Sequence, residues 1–197
     1  YVAASGKAFK ANPERGVYKT VDGGKSWARV LYISEETGVS DVELLPTNPN
    51  VLFAAAWKAV RKPWTIISGG TAKEGGIYKS LDGGNSWTRI EKGLPKDLIG
   101  KIDIEVSPWD SRIVYALVEA PGEEGGLYKS VDQGESFSQV SSHNGIRSRP
   151  FYYTNIRIDQ KNPEVIYAMA TGYYKSEDGC KSWNRLNPPH GAKPGSI

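Results

Sequence analysis

Short runs of apolar and aromatic residues recur along the chain, each cut off by a turn signal before it can become helical. Four of them align without gaps: Val17–Trp27 (VYKTVDGGKSW), Ile77–Trp87 (IYKSLDGGNSW), Leu127–Phe137 (LYKSVDQGESF) and Tyr173–Trp183 (YYKSEDGCKSW). The run before each Asp and the run after it (WARVL, WTRI, FSQV, WNRL) are rich in β-branched and aromatic residues, which predicts two strands joined as a hairpin. A second unit also repeats. Val42–Ala54 aligns with Ile104–Ala116 and Ile156–Ala168, and each reads as strand, turn, strand, with Asn48-Pro49 and Asn162-Pro163 as turn dipeptides.

The chemistry of the Asp turn is specific. A carboxylate at Asp22, Asp82, Asp132 or Asp178 can accept hydrogen bonds from N–H groups just beyond it. Gly24, Gly84 and Gly134 supply a positive φ where the chain reverses, and Cys180 stands at that place in the fourth copy. A cysteine there must adopt positive φ, or the turn must differ. Hydroxyls two before and four after each Asp can brace the loop. The closing Trp27, Trp87, Phe137 or Trp183 offers a large ring to bury. Each Asp is explained by the turn it braces, so these four carboxylates are read as structural rather than catalytic.

The aspartates lie 60, 50 and 46 residues apart. That period suits one four-stranded blade plus loops, so the expected fold is all-β: a β-propeller of antiparallel blades A–B–C–D. About four blades are expected, an incomplete one over 1–32 and others over 39–90, 101–140 and 154–186. Open edges at both ends lead to the expectation of a longer parent chain.

Composition narrows the function. The 197 residues carry 25 basic and 22 acidic side chains, a net charge of +3, which gives no argument for a nucleic-acid partner. No apolar run reaches the roughly 18 residues of a membrane span. One cysteine precludes an intrachain disulfide, and His143 and His190 lack partners at metal spacing, so neither metal nor cofactor is expected. The DGGNS-type turns fall short of the ligand count of a calcium loop.

Function is expected on the face away from the Asp turns, where the B–C and D–A loops vary in length. Two segments stand out. Trp57–Gly76 holds Trp57, Arg61, Lys62 and Trp64; Ser141–Tyr153 holds Arg147, Arg149, Phe151, Tyr152 and Tyr153. Arginine beside aromatic residues suits sugar stacking, carboxylate pairing or a protein hot spot. Strand A adds a polar row: Asp41, Asp103 and Asn155 align, and Glu43, Glu105 and Arg157 align two residues deeper on the same side. Asp41, Asp103, Glu43 and Glu105 are the candidate catalytic carboxylates, since a glycosidase needs two facing acids. The alternative is a solvated channel with ion pairs between blades, Glu105 with Arg157 first among them.

The turn pattern resembles the Asp-box, or bacterial neuraminidase repeat. With NPNVLFAAAW (48–57), RKPWTIISGG (61–70), GLYKS (126–130) and RSRPFYY (147–153), nearly the whole chain looks like the large bacterial Asp-box proteins labelled glycosyl hydrolase or sortilin-like. The resemblance implies a propeller of a periplasmic, cell-surface or secreted protein, with a protein or peptide partner, or a glycan. Relatives of the repeat include sialidases, xyloglucanase-type enzymes, sortilin-like receptors and photosystem II assembly factors. Sialidase chemistry uses three arginines, a Tyr–Glu pair and an Asp acid. The Arg-Ile-Pro-type motif of that chemistry is absent, and pairing Tyr152 with Glu43 or Glu105 has no support. The expected function is binding through the loop-rich face, with a glycoside hydrolase or glycan-binding propeller as the alternative.

Overall fold

A computed structural model describes residues 1–7, 10–59, 68–71 and 73–187. Four antiparallel sheets follow one another in chain order, each paired strand to next strand. The first contains β1 (Val2–Ala4), β2 (Gly16–Lys19) and β3 (Ala28–Leu31). The second opens with β4 (Thr37–Leu45) and β5 (Asn48–Lys58). The chain then passes through the short strand β6 (Gly70–Thr71) to β7 (Gly76–Ser80) and β8 (Thr88–Ile90). β6 pairs with β9 (Leu98–Ile99), on the segment leading to the third sheet. That sheet is β10 (Ile102–Val106), β11 (Val114–Val118), β12 (Gly126–Ser130) and β13 (Ser138–Ser141). The fourth is β14 (Asn155–Ile158), β15 (Ile166–Met169), β16 (Tyr173–Ser176) and β17 (Asn184–Leu186).

The core lies between the sheets. On β11, Val114, Ala116 and Val118 pack with Phe53, Ala55 and Ile77 of the second sheet. Their neighbours Tyr115 and Leu117 point the other way, toward Ile156, Ile166 and Ala168 of the fourth. A strand buried on both faces needs an unbroken apolar run, which is why β11 reads VYALV rather than alternating.

The aspartate turns repeat atom for atom. Asp82 Oδ1 accepts from Ser86 N (2.9 Å) and Ser80 Oγ (2.8 Å), and Oδ2 accepts from Ser86 Oγ (2.6 Å). Ser80 Oγ in turn accepts from Gly84 N at 2.8 Å. Asp22, Asp132 and Asp178 make the same set. The side-chain hydroxyl of the following serine, then its N–H, hold the Asp22, Asp82 and Asp178 carboxyls down to about 2. Asp132 lies lower still, with the Ser130 hydroxyl as the main cause. Cys180 adopts φ 75°, so the fourth turn keeps the shape that glycine gives the others.

A stitch joins each sheet to the next. An aromatic residue in the second strand of the second and third sheets (Phe53, Tyr115), or just before β1 in the first (Tyr1), reaches the following sheet's turn. Tyr1 donates to Gly83 O, Phe53 lies against Gly134, and Tyr115 meets Cys180. Lysine opposite the aromatic completes it: Lys19 Nζ donates to Gly83 O at 2.9 Å and Lys79 Nζ to Gln133 O at 2.7 Å, each over the ring beside it. The closing rings of the later turns look back to the preceding sheet. Trp87 Nε1 donates to Val30 O and Trp183 Nε1 to Ser141 Oγ. Phe137 is buried, but Trp27, closing the first turn just before β3, is 45% exposed, contrary to its expected burial.

Two strand limits differ from the sequence reading. Leu45 pairs with Asn48, so the chain reverses at Pro46-Thr47, and Asn48-Pro49 opens β5. Proline is tolerated there because a strand's first residues need no ladder N–H. Trp57 lies in β5, paired with Gly38, and not in a loop. β4 extends beyond the other first strands and carries β5 with it, through a bulge at Ser40.

Candidate functional site

The first strands β4, β10 and β14 lie side by side and bring the polar row together. Asp41 Oδ2 accepts from Ile104 N of the next sheet at 2.8 Å. Asp103 repeats this with Ile156 N at 2.8 Å and adds Asn155 Nδ2 at 2.6 Å. These two carboxylates therefore staple adjacent sheets through backbone groups. Glu105 Oε2 meets Arg157 Nη1 at 3.0 Å, and the same guanidinium lies 3.8 Å from Asp103.

The Glu43 carboxylate makes no hydrogen bond or ion pair among the described residues. Burial, then the charges of Asp41 and Glu105, push its carboxyl up to about 7, against the pull of Arg157. Burial and the Asp41 charge raise Asp103 to about 6, its two hydrogen bonds opposing. Burial also raises Asp41 and Glu105. Of the four candidate carboxylates, Asp41, Asp103 and Glu105 are thus engaged, and Glu43 alone among them has no polar partner.

This isolation makes stability depend on pH. A carboxyl raised from 4.5 to about 7 on folding contributes fully below 4.5 and loses that contribution as pH rises through about 7. Glu43→Gln, always neutral, should stabilise the protein at pH 8 by on the order of 1 kcal/mol, allowing for solvent screening at a half-buried site, and by almost nothing at pH 4. Thermal unfolding at the two pH values checks this; equal gains at both would contradict it.

On the loop-rich face, Trp57 Nε1 donates to Ser68 Oγ at 3.1 Å. Ser68 is in turn held by Glu119, which accepts from Ser68 N (2.7 Å), Ser68 Oγ (2.6 Å) and Lys101 N (2.8 Å). Burial pushes the Glu119 carboxyl up, and the Ser68 hydroxyl is the chief opposing influence. Arg61, Lys62 and Trp64 lie outside the described residues, as does the side chain of Tyr153.

Residues 141–153 are more ordered than a plain loop. A 3-10 turn covers Asn144–Arg147, and one helical turn, α1, covers Pro150–Tyr153. Arg147 is committed within this segment and to its neighbour. It donates to Asn144 Oδ1 through Nε and Nη2, and to Gly122 O and Gly125 O through Nη1. Arg149 is exposed, and its backbone is left-handed, with φ 52° and ψ 54°. Tyr152 is 53% exposed, and its ring centroid lies 4.4 Å from that of Phe151. Arg147 and Arg149 line a cleft of about 410 Å³ with Glu119, Asn144 and Ser148. Sequence reasoning missed Glu119 and Ser68. The one available signal was an acid closing the apolar strand VYALV.

Among the described residues, no group of three or more His, Cys, Asp or Glu side chains is placed to hold a metal ion. Among those residues no helix is long and apolar enough to cross a membrane.

No family model matches the chain, and no curated protein matches it in sequence. Solved structures do match in fold. An ancestral GH74 enzyme is 23% identical with a TM-score of 0.58, over 92% of this chain and 22% of that one. The GH74 xyloglucanase of Xanthomonas campestris is 18% identical with a TM-score of 0.61, over 94% and 29%. YCF48 bound to a D1 peptide is 13% identical with a TM-score of 0.50, over 76% and 40%. The chain spans less than a third of the length of these GH74 proteins. Identities this low speak to fold alone, and the fold is a β-propeller of consecutive four-stranded antiparallel blades, similar to that of GH74 and YCF48 proteins.

Proposed function

We propose that this chain is part of a binding propeller that engages a protein or peptide through its loop-rich face. The observation that carries the reading is the contrast between the two polar regions. Asp41, Asp103 and Glu105 are taken up in joining blades, whereas the loop-rich face offers a cleft with two guanidinium groups and the exposed ring of Tyr152. A propeller of similar fold, YCF48, is bound to a D1 peptide. In this reading the four turns are Asp-boxes, and the protein works in the periplasm, on the cell surface or in the medium, as the sequence resemblance implies.

A glycoside hydrolase or glycan-binding role is the second reading. Glu43 favours it, because a carboxyl raised to about 7 suits a general acid. The GH74 enzymes of similar fold include a xyloglucanase. A hydrolase of this kind needs a second free carboxylate facing Glu43.

Two assays on one preparation separate the readings: selection from a random-peptide display library, and release of reducing sugar from xyloglucan. The expected result is peptide binding that Tyr152→Ala weakens by about tenfold in protein that remains folded, as loss of an exposed aromatic anchor should. Xyloglucan cleavage that Glu43→Gln abolishes would establish the second reading instead.

A further inference from the structure

We propose that the cleft between the loops of the third blade is a carboxylate-binding pocket, and that Arg149 is the residue that captures the anion. The proposal rests on the loop-face binding reading and specifies its ligand chemistry: a carboxylate carried by a peptide, on a Glu or Asp side chain or at the C-terminus.

The charge balance of the cleft carries the argument. Two guanidinium groups line it, Arg147 and Arg149. Arg147 is held mainly by the neutral acceptors Gly122 O, Gly125 O and Asn144 Oδ1, which fix its position without cancelling its charge. Its ionic contact is Glu123 at 3.4 Å, a side chain 82% exposed and therefore screened. Glu119, the carboxylate lining the cleft, keeps its charge but is 3% exposed, with its oxygens taken up by Ser68 and the Lys101 N–H, so the two guanidinium groups leave the lining with one net positive charge. The Arg149 guanidinium has no hydrogen bond or ion pair among the described residues, yet Arg149 lines the same cleft. Among the described residues, the cleft thus presents a fixed cation and a free one to any anion that enters.

Backbone geometry adds a second observation. Among the described residues, Arg149 is one of three non-glycine residues with positive φ, and the others, Gln133 and Cys180, belong to aspartate turns. A left-handed conformation costs an arginine about 1 kcal/mol, which glycine would avoid. The left-handed backbone immediately precedes Pro150, which opens α1. The guanidinium is what glycine at 149 would forfeit, and its planar fork suits a two-oxygen anion.

The test follows the arginine Nε–Hε signals of the ¹⁵N-labelled protein by NMR. The probes are acetyl-Gly-Glu-Glu-Gly-amide, the free acid acetyl-Gly-Gln-Gln-Gly, its amide and trigalacturonate. The expected result is a saturable shift of the Arg149 signal with one or both carboxylate peptides and none with the Gln amide. Response to the first alone identifies a side-chain carboxylate, and to the second alone a C-terminus. Arg149→Gly should weaken this binding by at least about tenfold while leaving the unfolding temperature equal or higher. The proposal is overturned if neither peptide shifts Arg149, if binding survives in Arg149→Gly, or if trigalacturonate alone titrates the site. Peptide binding that moves the Trp57 and Tyr152 signals but not Arg149 overturns the pocket and leaves the loop-face reading standing. Silence at all three positions, joined to a failed peptide selection, removes both.

Discussion

Replacing Glu119 with Ala should destabilise the protein by about 3–5 kcal/mol, the largest effect expected of any polar substitution here. The side chain is 3% exposed, and its oxygens accept from Ser68 N, Ser68 Oγ and Lys101 N. Removing it leaves donors on two segments without partners: the stretch closing on β6, and the stretch entering β10. Glutamine is no rescue, because its amide nitrogen would face a donor, and Glu119→Gln should still cost about 1–3 kcal/mol. Urea denaturation of both variants measures this. A loss below about 1 kcal/mol for Glu119→Ala would show that water replaces the carboxylate, and that the network does not hold the loop-rich face together.

Gly134→Ala should be far more harmful than Gly24→Ala, although the two glycines occupy the same place in the repeat. Both have positive φ, 79° and 88°, so each alanine incurs about 1 kcal/mol of backbone strain. Their surroundings differ. A Cβ at Gly134 would sit 2.5 Å from Phe53 Cε1, a ring fully buried under the turn, whereas at Gly24 the nearest atom is Trp27 Cζ2 at 3.8 Å. Moving a packed ring adds about 1–3 kcal/mol, for a total of about 2–4 at Gly134 against about 1 at Gly24. Thermal unfolding of the two variants gives the comparison. Equal losses would mean that the ring of Phe53 shifts freely and does not fasten the second blade to the third.

These cases mark what was legible in the sequence. The turns were legible because their chemistry is local: Asp82, Ser80, Gly84 and Ser86 lie within seven consecutive residues and bond one another. Once the turns repeat, strand order follows, and with it the propeller. The stitches between blades were not legible. Lys79 finds its acceptor at Gln133, and Asp103 finds Ile156 N, more than fifty residues away along the chain. Asp41 and Asp103 could be aligned as one position, but nothing in the sequence marked a backbone N–H of the next sheet as their partner.

The candidate site was legible in outline only. Arg147 and Arg149 look alike in the string RSRPFYY, yet one is held by carbonyls of a neighbouring loop and the other stands open. Carbonyl acceptors belong to every residue, so a sequence cannot say which arginine they will capture. Trp57 was expected in a loop as a binding residue and instead bonds Ser68 from within β5. Glu119 drew no notice because a single acid at the end of a strand usually faces water.

The central claim is that ligands meet this propeller on its loop-rich face and not in the polar row of the first strands. Hydrogen–deuterium exchange with a display-selected peptide tests it most directly. The account predicts slowed exchange at residues 141–153 and along the segment between β5 and β7, with β4, β10 and β14 unchanged. Protection confined to β4, β10 and β14, where Glu43 lies, would contradict it and direct attention to carboxylate chemistry in the channel.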